Sequence, residues 1–528
     1  MNTETKPTVE MEEITINTDV LVIGGGPTGL KAGAEITESG YKVTLVEKTD
    51  TITPEDTSFE VLTGTCLVDN RGIPGDFTAR LEKKGEIIER KVGAIVVATD
   101  ACYEPLNEDY SLTLADNVVA QSELEASLGS NADDFDKKTV AFVTGFYRES
   151  NPLALERILN SALILQEQEC TVYVYVNNIK VAADGLDRLY KEVRDNGGTY
   201  FKLETPPEIT QDGADLTVTF EDPVLRRSMD LSPDLIVVEE AILPDDLNEG
   251  LAEILRIHTG PLGLLQKNNV HRFPVLSNRE GIFVIGSARQ TCGLSAALAD
   301  AGNVALEVEN LLGNGKRTAA KDQAVVDRDK CVICLTCYRC CPHGAIYWDN
   351  RAIISPVACQ GCGICASECP MDAIQLGDFK DEEMQKAVKE SVVAKSDEPN
   401  IVAFCCRNSA LEAAEMASEF KMTLPAGLHM IEVPCAGKID IDFIMNAFVE
   451  GADGVIVMAC HAGNCKSEQG NTYAKWRVAD AHRMMTETGF ETERLQFVTL
   501  ASNMGSEFSS IMADMEKTLK ELGPSPLK

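Results

Sequence analysis

Two runs of cysteine carry the most decisive chemistry in this 528-residue chain, Cys331-x2-Cys334-x2-Cys337-x3-Cys341-Pro342 and Cys359-x2-Cys362-x2-Cys365-x3-Cys369-Pro370. A [4Fe–4S] cube takes four thiolates, and in a duplicated CxxCxxCxxxCP pattern the fourth cysteine of each run ligates the cube of the other. The spacing predicts one cluster on Cys331, Cys334, Cys337 and Cys369, and a second on Cys359, Cys362, Cys365 and Cys341. Cys340 is surplus, because the x3 spacing and the following proline select Cys341. A zinc site is the alternative, but zinc modules seldom repeat such a run twice.

A second cysteine pattern lies farther on. Three expected strands each end in cysteine: NIVAF before Cys405 and Cys406, MIEVP before Cys435, and GVIVMA before Cys460, with Cys465 in the loop after it. In an open parallel sheet the carboxyl ends of the strands form the ligand edge, where separate loops can converge. Cys406, Cys435, Cys460 and Cys465 suit one cluster or metal, with Cys405 spare. The competing reading is a set of buried cysteines acting as small apolar residues. Cys66, Cys102, Cys170 and Cys292 stand alone and read as structural.

The third chemical signal is Gly24-x-Gly26-x-x-Gly29, with Gly25 inside it, after the strand DVLVI and opening a helix. The first glycine makes the tight turn, the second lets a pyrophosphate approach the backbone, and the third permits close helix–strand packing. Glu47, followed by Lys48, ends the next strand, where a carboxylate can accept from a ribose hydroxyl. Strand, glycines, helix, strand and acid in this order predict a bound dinucleotide.

These groups need a scaffold, and the patterning supplies one of α/β class. Residues 1–15 read as a flexible tail, 16–120 and 265–315 as two halves of a Rossmann-like domain, and 121–264 as a second α/β unit inserted between them. GNGKRTAAKDQ reads as a linker, residues 322–380 as the ferredoxin module, and 399–528 as a last α/β domain. The formal net charge of −35 speaks against nucleic acid. Eighteen cysteines without an apolar leader point to metal or redox chemistry in a cytoplasmic protein. No stretch offers the ~18 uninterrupted apolar residues of a membrane span.

VGAIVVATD, with Ala98 and Thr99, closes the first half, and GIFVIGS, with Gly286, returns much later before a helix. This split pattern resembles the two-dinucleotide-domain flavoproteins, which implies FAD. In that family a second glycine fingerprint binds NAD(P). Here the matching strand, TVAFVTGFYRES, has Gly145 alone, so direct reduction by NAD(P)H is not expected.

In this order the modules resemble the A subunit of heterodisulfide reductase fused to a methyl-viologen-reducing hydrogenase delta subunit. The resemblance rests on VIGGGPTGLKAGAEI, VEK, FEVLTG, GDFTARL, VVATD, GIFVIG and both cysteine runs, then on IVAFCCRNSA, VPCAGKID and GADGVIVMACHAGNC. It implies one [2Fe–2S] cluster in the last domain beside FAD and two [4Fe–4S] clusters. The same fusion occurs in the B subunit of the quinone-interacting membrane-bound oxidoreductase complex. That likeness implies an oxidoreductase subunit working by electron transfer within a complex, relaying electrons between the menaquinone pool and adenylylsulfate reductase in sulfate reduction. Its implied partners are a second flavoprotein subunit and a membrane haem/quinone subunit, through which it would meet the membrane. Two other readings stand beside this one: a flavin-bifurcating subunit of a heterodisulfide reductase–hydrogenase or formate dehydrogenase assembly, and a non-redox scaffold carrying the ferredoxin and delta domains. The sequence departs from the family pattern at Asp100, where a glycine is expected after Ala-Thr, and at Ser409, where stand-alone delta subunits often have cysteine.

Overall fold

The computed structural model describes residues 10–50, 58–131, 135–149, 151–213, 215–260, 262–267, 269–321, 323–392 and 398–527. The first sheet is all parallel, in the order Ile282–Val284, Ala94–Val97, Val20–Ile23, Val43–Val46, Glu60–Leu62. Four of these strands are apolar and buried at nearly every residue, as a sheet covered on both faces requires. Helices Pro27–Glu38 and Leu294–Leu312 cover one face through Ala32, Ile36, Ala301, Val304 and Val308. The antiparallel meander Thr65–Ile73, Asp76–Lys83, Glu86–Val92 covers the other.

The chain leaves this unit along Ala101–Pro105 and returns along Glu240–Pro244, and the two crossings pair antiparallel as a two-stranded ribbon. Between them lies a second parallel sheet in the order Val118–Ala120, Leu235–Val238, Thr139–Thr144, Thr171–Val176, Thr199–Lys202. Helix Leu247–Leu255 follows the return crossing, and its Leu251, Ala252 and Leu255 enter the core of the first unit beside Phe77 and Leu81. The first unit thus begins again near residue 247, ahead of the boundary that the patterning places at 265, because the helix buries its apolar face there.

Two expectations are corrected outright. Met11–Thr15, expected within a flexible tail, is a strand, and it pairs antiparallel with Lys316–Ala320, expected within a linker. The pairing sets Glu13 against Lys316, and Glu10 just outside it against Lys321. Residues 1–9 of the expected tail lie outside the described residues.

The ferredoxin segment is built on two antiparallel pairs, Ala324–Val326 with Ile374–Leu376 and Ile346–Asp349 with Arg351–Ile354, and on two short helices, Thr336–Cys340 and Ile364–Ser367. The last unit is a four-stranded parallel sheet ordered Leu428–Val433, Ile401–Cys406, Gly454–Ala459, Leu495–Thr499. Helices Ala410–Glu419 and Gly505–Leu522 pack on one face, and Ile441–Val449 with Gly470–Thr488 on the other. Helix Asp381–Ser391 adds Met384 and Val388 to the second face.

Candidate iron–sulfur and dinucleotide sites

The two cysteine runs fold as near copies. Ile333 and Leu335 in the first run, and Gly361 and Gly363 at the same places in the second, all have left-handed backbone, with φ of 56°, 58°, 61° and 81°. Only glycine enters that region freely, and a bulky residue there costs ~1–2 kcal/mol. The loop is evidently required in a shape that wraps its thiols around one centre. Cys331, Cys334, Cys337 and Cys369 line a single small cavity of about 20 Å³, walled by Val326, Ile333, Met371 and Ile374. The fourth cysteine of the second run therefore stands with the first three of the first run. Burial pushes the Cys337 thiol up to about 11, and Cys369, Cys334 and Cys331 push it the same way. The amide and hydroxyl of Thr336 draw the exposed Cys334 down.

Cys341 joins the other three. Burial raises Cys359, Cys362 and Cys365, and Cys341 acts in the same direction on each of them. Such crowded thiols ionise together only around positive charge, which irons would supply. Backbone amides already reach the sulfurs, Gly361 N–H to Cys359 Sγ at 3.5 Å and Ala373 N–H to Cys369 Sγ at 3.4 Å. The Cys340 thiol donates to the Cys337 carbonyl at 3.4 Å and sits in the module's core.

In the last domain successive residues of a strand face opposite ways, and this separates two adjacent thiols. Cys405 joins the core beneath Ala413 and Met512, with its thiol towards the Ala403 carbonyl. Cys406 points to the other face, where Cys435, Cys460 and Cys465 are also buried. Cys406 and Cys460 sulfurs are 3.9 Å apart. Thiol contacts run from Cys406 to Cys435 and Cys460, and from Cys465 to the same two, closing a ring of four. Hydrogen bonds from Cys435 and Cys460 lower the pKa of Cys406 and Cys465, and the same bonds hold the donors protonated. The ring sits where the connections after Ile401–Cys406 and Gly454–Ala459 leave to opposite faces of the sheet, a topological switch point. Among the described residues no group of three or more His, Cys, Asp or Glu side chains converges tightly enough for a single metal ion.

Sequence reasoning missed Gly470. A Cβ built there would overlap Cys435 Sγ and lie 3.5 Å from Cys465 Sγ, so the glycine makes the ring's back wall. The signal available was weak, a glycine opening a helix five residues after Cys465. Ser409 faces the ring too; its hydroxyl touches Cys460. His461 turns away, towards Thr499 Oγ1 at 3.0 Å and Met504 Sδ at 3.4 Å.

The second thiol set and the ring are neighbours. Cys362 packs against the core that holds the ring. Ile364, next to Cys365, packs on Gly437, two residues from Cys435, and Ser367 donates to the Lys438 carbonyl at 2.6 Å. Arg477 ties the same seam by donating to the Gly437 and Ile439 carbonyls at 2.8 Å and to Glu368 at 2.6 Å. A cleft of about 1420 Å³ opens beside this seam, reaching Gly361 and Cys362 on one wall and Asn408 and Pro434 on another.

At the glycine turn, Gly24, Gly25, Gly26 and Gly29 lie at the carboxyl ends of the first sheet with Glu47, Lys48, Ala98, Thr99 and Gly286. Gly24 has φ 109°, and a Cβ on it would stand 2.6 Å from the Ala98 carbonyl carbon. Gly25 N–H donates to Glu47 Oε2 at 2.7 Å, and Thr49 N–H to Glu47 Oε1 at 2.9 Å. Thr99 Oγ1 donates to Asn248 Oδ1 at 2.7 Å, and Gly286 N–H to Asp300 Oδ2 at 3.0 Å. The turn has the form of a phosphate cradle, but the space in front of Gly26 is filled: a Cβ there would overlap the Asp100 carboxyl, with Oδ1 and Cγ 2.5 Å away. Desolvation, then Glu47 and Asp245, raise the Asp100 pKa. As they stand, these residues do not fit a pyrophosphate. In the second unit Gly145 N–H donates to Glu239 Oε2 at 2.6 Å.

The family described as methyl-viologen-reducing hydrogenase, delta subunit, matches residues 401–523. An FAD binding domain matches residues 17–132, and a 4Fe-4S binding domain residues 352–375. The A subunit of the ferredoxin:CoB-CoM heterodisulfide reductase of Methanosarcina mazei is 26% identical over 469 residues, covering 84% of this chain; the chain spans 59% of that relative's length. The iron-sulfur D subunit of the F420-non-reducing hydrogenase of Archaeoglobus profundus is 37% identical over 127 residues, 24% of this chain and 93% of the relative. Among solved structures, thioredoxin reductase of Lactococcus lactis is 17% identical, covering 56% of this chain and 99% of that one with a TM-score of 0.39. With a thiol ring in the domain matched at its C-terminus, the chain belongs to the methyl-viologen-reducing hydrogenase delta-subunit family, carried on a body homologous to the heterodisulfide reductase A subunit.

Proposed function

We propose that this chain is an electron-transfer subunit in which three thiol sets stand in series. Cys331, Cys334, Cys337 and Cys369 would hold one [4Fe–4S] cluster, Cys359, Cys362, Cys365 and Cys341 the next, and Cys406, Cys435, Cys460 and Cys465 a [2Fe–2S] cluster. Bound clusters would supply one-electron carriage. The protein's part is to fix the thiols, deliver amide dipoles to the sulfurs, and hold the second and third sets together across their seam. The observation that carries the reading is that seam, where Ile364 packs on Gly437 and Ser367 holds the Lys438 carbonyl.

The role that fits best is relay within a complex of the quinone-interacting oxidoreductase type, between a membrane quinone subunit and a soluble acceptor such as adenylylsulfate reductase. A second flavoprotein subunit would complete the assembly. None of the described helices is long and apolar enough to cross a membrane, so a cytoplasmic chain would meet the membrane through its partner. The extent of the match to the heterodisulfide reductase A subunit favours a second reading, a flavin-bifurcating subunit of such an assembly. That reading requires flavin in the first unit.

The test is a pair of single variants in the anaerobically purified chain. Cys406→Ser should lose the irons of the third site and slow transfer to the partner, while both cubane signals persist in electron paramagnetic resonance. Cys405→Ser should behave as wild type. Loss of the cluster from Cys405→Ser alone, or no change in either, overturns the proposal.

A further inference from the structure

The second glycine of a dinucleotide turn lacks a side chain so that a pyrophosphate can come up against the backbone. In this chain the place is taken by the Asp100 carboxyl, which lies where a Gly26 Cβ would be. Asp100 is at the open edge of the sheet and exposed, held there by the short path from Ala98, whose N–H donates to the Ile23 carbonyl at 2.7 Å. The charged groups that act on it are Glu47 and Asp245, both acidic. Glu47 is committed to the Gly25 amide, the donor a phosphate oxygen would otherwise find, and Asp245 accepts from Leu247 N–H at 2.8 Å at the start of the adjoining helix. A diphosphate entering here meets a filled cradle and a ring of like charge.

We propose that Asp100 is the turn's own occupant, standing in the pyrophosphate position, so that the first unit takes up a flavin dinucleotide only when this carboxyl is displaced. Asp100 thereby sets flavin occupancy, and the chain as made carries well under one FAD. The inference rests on the reading of the first unit as an FAD-type domain.

Wild type, Asp100→Gly and Asp100→Asn are purified anaerobically as full chains, and flavin released by acid is counted against protein, with iron content reporting intact folding. FAD affinity is then titrated by flavin fluorescence. Asp100→Gly should bind FAD at least ~10-fold tighter than wild type, the discounted effect of removing one carboxylate beside a diphosphate at an exposed site. Asp100→Asn, which keeps the size and removes the charge, separates the two contributions: tight binding assigns the block to charge, wild-type binding assigns it to filling. Wild type isolated with one FAD per chain, or Asp100→Gly binding no tighter than wild type, overturns the proposal while leaving the flavoprotein reading in place if flavin is bound. If no variant binds FAD with iron unchanged, both the Asp100 assignment and the FAD reading fall.

Discussion

Replacing Gly470 by alanine tests the thiol ring through a residue that carries no thiol. The new methyl would overlap Cys435 Sγ, and to restore an ordinary contact of ~3.5 Å the sulfur must move by about 1 Å. Gly437 N, 3.4 Å from the same point, limits relief on that side. Overpacking a dense core costs ~1–3 kcal/mol. Alanine in place of glycine in a helix returns up to ~1 kcal/mol. The two terms oppose, so the net loss of stability is about 0–3 kcal/mol and thermal melting alone will not locate the effect. Iron content will say more, because a cluster demands four thiolates in register and Cys435 is the one displaced. The expected result is a folded protein that keeps both cubane signals and loses the third site's iron and sulfide, together with its resonance after dithionite reduction. Gly302→Ala is the control: it lies within helix Leu294–Leu312 with nothing near its Cβ position, so it should gain up to ~1 kcal/mol and leave iron unchanged. Should Gly470→Ala retain the wild-type iron count and spectrum, the ring is not where the cluster sits, or tolerates a displaced Cys435, and the argument fails.

Two further outcomes are expected. Cys369→Ser should damage the cluster whose other thiols are Cys331, Cys334 and Cys337, whereas Cys340→Ser should leave both cubanes with their full iron, and iron analysis with resonance spectra distinguishes them. Arg279 is 4% exposed, donates to the Leu255 carbonyl at 2.7 Å and the Gly72 carbonyl at 3.3 Å, and lies against the Cys341–Gly344 turn. Arg279→Met should destabilise by ~1–3 kcal/mol in denaturant melts by orphaning those carbonyls. It should also lower the reduction potential of the cluster on Cys341 alone, because a buried positive charge favours the more negative reduced state; an unchanged potential for both cubanes would refute the charge effect.

What the sequence disclosed and what it hid divide by the range of the contacts involved. Each set of ferredoxin-type thiols is mostly one loop, so its spacing is written locally, and even the exchange of Cys341 and Cys369 between the sets follows from the duplication. The choice of Cys406 over Cys405 needs one fact beyond spacing, namely the strand face on which the other thiols arrive, and that face is fixed by where Gly454–Ala459 pairs with Ile401–Cys406. Longer-range features left almost no trace. Met11–Thr15 alternates too weakly to announce a strand; it becomes one because Lys316–Ala320, far along the chain, presents a matching edge and lysines to its glutamates. Gly470 owes its position to the sulfur of Cys435, and nothing in KSEQGNT names that partner. Asp100 is the instructive middle case. Its departure from the family pattern was visible as a letter, but a letter does not say whether the side chain points to solvent or to the turn. The strand Ala94–Val97 lies directly beside Val20–Ile23 in parallel register, so both strands empty at the same edge, and the Asp100 carboxyl that follows them lies before Gly26. Adjacency of two strand ends thus turns a one-letter departure into a carboxylate against the glycine turn.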